Sequence, residues 1–66
     1  MTVLLNGEPT ELPRGATITD LLAHYGRSDS GVAVAVNYEV VPRQQFDAHA
    51  LAEGDRVDVV TAVGGG

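Results

Sequence analysis

Few residues of this chain offer a reactive group. At one end stand three consecutive glycines, Gly64, Gly65 and Gly66, the last bearing a carboxylate with no side chain around it. Such a stretch has nothing to pack and the widest backbone freedom, so it adds nothing to a core. It can instead thread a narrow channel in a partner and present an unhindered carboxylate there. The plain alternative is a frayed terminus, because chain ends are commonly disordered. A compact hydrophobic pattern that runs up to Val63, with only the glycines beyond it, favours the first reading.

The other chemically capable residues form no constellation. His24 and His49 are the only imidazoles, lie far apart in sequence, and lack ligand spacing or a clustered carboxylate partner. They read as solvent-facing, and no metal site is expected. Glu8, Glu11, Asp20, Glu53, Asp55 and Asp58 fall in turns, caps and strand exteriors, as a solvated acidic face would. No Ser or Thr joins a His in a nucleophile motif. The internal glycines at 7, 15, 26, 31 and 54 punctuate elements and do not build a phosphate loop. The expectation is a chain that is not an enzyme, with no catalytic residue of its own.

Composition narrows the class further. A chain of 66 residues makes one small domain, and at that size only about 60% of the unfolded surface is buried. No cysteine is present, which rules out disulfides, thiolate zinc sites and iron–sulfur ligation and fits a reducing, cytoplasmic setting. The longest wholly apolar run is "VAVAV", far short of the ~20 residues of a membrane helix, and the start lacks the regions of a signal peptide. Net charge is −5 and all four cations are arginines. That balance argues against nucleic acid as a partner and suits steering toward a basic protein surface.

The elements that must carry the tail follow from pattern. "TVLLN" at 2–6 leads into Asn6-Gly7, the strongest short hairpin signal, and returns over about 9–12, with Pro9 marking an edge. Val3 and Leu5 are assigned to the core and Leu4 to the outside. Thr17 with Asp20 forms a short-acid capping box, and Ile18, Leu21, Leu22 and Tyr25 make one apolar stripe that Gly26 terminates. A helix this short must lie across a sheet. After a polar loop at 27–31, Val32, Val34 and Val36 line one face of a central strand. Ala33, Ala35 and Asn37 line the other, which suggests that the second face is crowded or covered. Val40-Val41 is a strand stub ended by Pro42, Phe46 anchors an irregular segment, and Glu53-Gly54-Asp55 is a tight turn. The last strand spans 56–63, with Arg56, Asp58, Val60 and Ala62 on one face and Val57, Val59, Thr61 and Val63 on the other. One helix across one face of a mixed four- to five-stranded sheet is an α+β arrangement in β-grasp order, with the domain at 1–63 and a flexible glycine tail at 64–66.

At this point "AVAVNYEVVPR", the aromatic Phe46 and "LAEGDRVDVVTAVGGG" resemble the sulfur carrier proteins of thiamine biosynthesis, the ThiS family, which are ubiquitin-like β-grasp domains. The resemblance covers nearly the whole chain. Its most specific parts are N-x-x-V-V-P-R, the G-D-x-V turn into the last strand, and the terminal glycine pair. Phe46 stands where the family leads one to expect tryptophan, and Gly64 extends the usual diglycine to three. The resemblance implies that a ThiF-type adenylyltransferase uses ATP to make an acyl-adenylate at Gly66. Sulfur from a persulfide donor such as a cysteine desulfurase then gives a C-terminal thiocarboxylate, and thiazole synthase (ThiG) takes that sulfur for the thiazole ring. Gly64, Gly65 and Gly66 would enter the partners' active sites, and the chain itself would bind no cofactor.

Leu4, Val60 and Ala62 are then candidates for an apolar docking patch on the sheet face away from the helix, provided that the first and last strands are neighbours. The alternative is scattered surface aliphatics. Two other functions share the features above: the small subunit of molybdopterin synthase, and a ubiquitin-like protein modifier. A plain binding module with an inert tail is the remaining possibility.

Overall fold

The computed structural model describes residues 1–26 and 31–61. Asn6 and Gly7 adopt left-handed φ values of 51° and 86°, folding β1 (Thr2–Leu5) back onto β2 (Glu8–Glu11) as an antiparallel pair with Leu5 opposite Glu8. Thr17 caps α1 (Ile18–Tyr25) through the expected reciprocal box: its side chain accepts from Asp20 N–H, and the Asp20 carboxylate accepts from Thr17 N–H at 2.9 Å. Gly26, at φ 82°, ends the helix. A second hairpin joins β3 (Val32–Val36) to β4 (Glu39–Val41), and β5 (Arg56–Thr61) closes the sheet. A 3-10 turn at Arg43–Gln45 follows Pro42, inside the stretch that the sequence reads as irregular.

The five strands lie in the order β2-β1-β5-β3-β4. β5 is inserted between the two hairpins, parallel to β1 and antiparallel to β3. Pro9 therefore sits on an edge strand, where its missing N–H is harmless. One face of the sheet carries Val3, Leu5, Val34, Val36, Val57 and Val59, all buried against Ile18, Leu21 and Leu22 of α1. Phe46 closes the core beneath the start of the helix. There Ile18 N–H donates to His49 O at 3.2 Å and Thr19 Oγ1 to Asp47 Oδ1 at 2.5 Å.

Two expectations are corrected. Tyr25, the fourth member of the apolar stripe, is 41% exposed. It falls in the last turn before Gly26, past the end of the core, and borders a shallow cleft with Leu5, Asn6, Glu8, Thr10 and His24. The second sheet face is also not covered: Ala33 and Val40 are exposed and Ala35 is only half-buried. The alanines leave only the β3 positions of that face without bulk. Strand β5 is described to Thr61, so its expected continuation through Val63 lies outside the described residues, as do most of the 27–31 loop and the glycines 64–66.

Candidate functional site

The strand that runs toward the glycines is the best-secured element of the sheet. Its entry is fixed by side chains. Asp55 Oδ2 accepts from Ala52 N–H at 2.8 Å, closing the Glu53-Gly54 turn, while Asp55 Oδ1 accepts from Asn37 Nδ2 at 3.1 Å. Asn37 Oδ1 in turn accepts from Arg56 N–H at 3.0 Å, and Asn37 N–H donates to Arg56 O at 2.7 Å. On the β1 side, Leu4 N–H and Asn6 N–H donate to Asp55 O and Val57 O at 2.8 and 2.9 Å. Asn6 Oδ1 then accepts from Val59 N–H at 2.8 Å. Both asparagines hold φ at 51°, a conformation Asn tolerates better than most residues, so each turns a hairpin and clamps β5 at once. From the sequence, Asn6 reads only as a turn residue and Asn37 as a member of a strand face. The signal that could have found their second role is an Asn at both hairpin turns of a fold whose last strand runs between them.

The adjacency assumed for the docking patch is present, but the register divides its members. Leu4 and Val60 both face away from the helix, at 36% and 63% exposure. Leu4 pairs with Arg56, so Val60 lies four residues farther along β5, about 13 Å at the usual strand rise. Between them stand Arg56 and Asp58, which form an ion pair at 3.4 Å. Val60 instead pairs with Ala33, and across β3 Ala35 pairs with Val40, which is 77% exposed. The apolar strip on this face is therefore Val60, Ala33, Ala35 and Val40. At its end the Arg56 guanidinium stands 5.2 Å from the centre of the exposed Tyr38 ring. Ala62, Gly64, Gly65 and Gly66 lie outside the described residues.

His24 is exposed and His49 half-buried on separate elements. Among the described residues, no three His, Asp or Glu side chains gather as a metal-holding group. None of the described helices is long and apolar enough to cross a membrane.

A hairpin, one helix, a second hairpin, and a last strand inserted beside the first define the ubiquitin-like β-grasp class. Within that class the chain belongs to the ThiS family, whose model matches residues 3–66. It is 30% identical over 66 residues to the sulfur carrier protein ThiS of Escherichia coli (strain K12), covering 100% of both chains. The crystal structure of the thiamine biosynthesis protein ThiS from Geobacter metallireducens superposes with a TM-score of 0.84 at 32% identity, over 100% of each chain. The chain is also 41% identical over 66 residues to a thiazole synthase of Magnetococcus marinus, of which it covers 20%.

Proposed function

We propose that this chain is a sulfur carrier for thiazole formation in thiamine biosynthesis, loaded at Gly66, and not a catalyst. The observation that carries the reading is a ThiS-family match that continues through the glycines to residue 66. A carboxylate is a poor electrophile, so Gly66 must first be activated. A ThiF-type adenylyltransferase joins the carboxylate to the α-phosphorus of ATP, with pyrophosphate leaving. The terminal sulfur of a persulfide, supplied by an enzyme of the cysteine desulfurase kind, attacks the acyl carbon and expels AMP. A thiol then supplies the two electrons that break the S–S bond and free the thiocarboxylate. Because Gly66 has no Cβ, nothing crowds the tetrahedral intermediate, and Gly64 and Gly65 can lie flat in a narrow cleft. Positioning and charge stabilisation belong to the partners.

Thiazole synthase is the acceptor in this reading. Similarity to a fifth of one such protein supports it, since there a segment like this chain is part of a thiazole synthase chain. The docking surface is the outward sheet face around Val60, with Ala33, Ala35 and Val40 beside it and Leu4 as an outlying contact. The acidic chain suits a basic partner rim, and the compartment is the cytoplasm.

The test incubates the chain with a ThiF-type adenylyltransferase, ATP, a cysteine desulfurase and cysteine, and reads its intact mass. Exchange of one oxygen for sulfur supports the carrier. A ladder of protein conjugates would support a modifier instead, and an unchanged mass an inert tail. Rescue of a thiazole auxotroph separates this role from that of a molybdopterin synthase subunit.

A further inference from the structure

β1 ends at Leu5, whose parallel partner is Val57. Beyond that point the chain turns away into the first hairpin, while β5 continues to Thr61 and stays paired with β3 through Val32. The β1 side of β5 therefore loses its strand neighbour just where the chain heads toward the glycines. Asn6 bridges the gap. Its backbone N–H still donates to Val57 O, and its side-chain Oδ1 accepts from Val59 N–H at 2.8 Å. One residue at left-handed φ thus bends the main chain out of the ladder and leaves a side-chain oxygen behind in the ladder's place.

We propose that Asn6 is a positioning residue for the tail chemistry: its side-chain oxygen, holding Val59 N–H, sets the direction in which β5 delivers the last residues to a partner's active site. This inference rests on the sulfur-carrier reading. A strand held on one side only can pivot about its remaining partner, and a carboxylate several residues downstream then samples more orientations at the adenylylation site. The consequence is read in the rate of the bound complex, because substitution at Asn6 alters none of the side chains of the Val60–Val40 strip.

Two substitutions separate the clamp from the turn. Glycine and aspartate both suit the left-handed position ahead of Gly7, but only aspartate keeps an oxygen that can accept from Val59. In the Asn6→Gly variant, Val59 N–H should exchange with solvent about tenfold faster, with Leu4 N–H as the unchanged internal reference. Sulfur loading by adenylyltransferase, ATP and persulfide donor should lose about tenfold in kcat at constant KM, the scale on which small misplacements act. Asn6→Asp should restore both readouts. Loading of the Asn6→Gly variant at the full rate despite fast Val59 exchange overturns the proposal, and so does an Asn6→Asp variant that loads as poorly as Asn6→Gly. A wild-type chain that takes up no sulfur overturns the carrier reading and this inference with it. That failure is recognisable as such, because Val59 exchange still distinguishes the variants when no loading occurs.

Discussion

At the scale of single residues, those that hold the fold are distinct from the one proposed to react. Leu21 is fully buried between helix and sheet. Leu21→Ala should cost ~2–5 kcal/mol in urea denaturation, while the fraction that stays folded still accepts sulfur. Gly66 has the opposite profile. Gly66→Ala should leave the urea midpoint where it is and collapse formation of thiocarboxylate as read by intact mass, because the added methyl crowds the acyl carbon in the proposed chemistry. A Gly66→Ala chain that loads normally would show that the partner's cleft does not require a bare last residue. Tyr38 is the residue of least obvious design. It holds φ at 71° in the second hairpin, where Asn-Gly is the favoured pair, yet its ring lies against the Arg56 guanidinium. Relief of about 1 kcal/mol of backbone strain roughly offsets loss of an exposed cation–π contact of about 0.5–1 kcal/mol. Tyr38→Gly should therefore change stability by less than about 1 kcal/mol, measured by chemical denaturation.

At the scale of elements, the short helix shows how much a cap can carry. α1 has eight residues, too few to persist alone in water, and it is held by burial of Ile18, Leu21 and Leu22 together with the Thr17–Asp20 box. Thr17→Ala should cost about 0.5–2 kcal/mol, with amide exchange at the first turn of the helix accelerating before that at the sheet. The helix, its N-cap and its glycine stop can be read from the chain, because caps and 3.6-residue periodicity are local properties. Tyr25 departs from the pattern for a reason that is not local. Periodicity says which side a residue faces, but not whether the core extends far enough to meet it.

At the scale of the whole molecule, the inserted strand decides which outward apolar residues stand together. Strand alternation correctly sets Leu4 and Val60 outward, and parallel pairing makes their strands neighbours. The register then sets Val60 beside Ala33 of β3, pairs Ala35 with Val40 of β4, and leaves Leu4 behind the Arg56–Asp58 pair. Val60→Asp and Val40→Asp should each fold, since both side chains are mostly exposed. Each should weaken binding to the adenylyltransferase about tenfold or more in a calorimetric titration, in keeping with loss of a central interface contact. Leu4→Ser should weaken it by much less. Equal losses at all three positions would mean that the contact surface spans the ion pair.

The sequence alone determined the hairpin at Asn6-Gly7, the capped helix, the inward valines, the β-grasp order and the glycine end, because each rests on neighbours within a few residues or on period-two alternation. Tertiary structure alone decided three things: which outward residues stand side by side, that the alanine face is open, and that Asn6 and Asn37 turn back onto β5. These depend on pairings between residues as far apart as Asn6 and Val59. No local preference encodes such a register; it emerges only when the last strand slides between two hairpins and its backbone donors must find acceptors there.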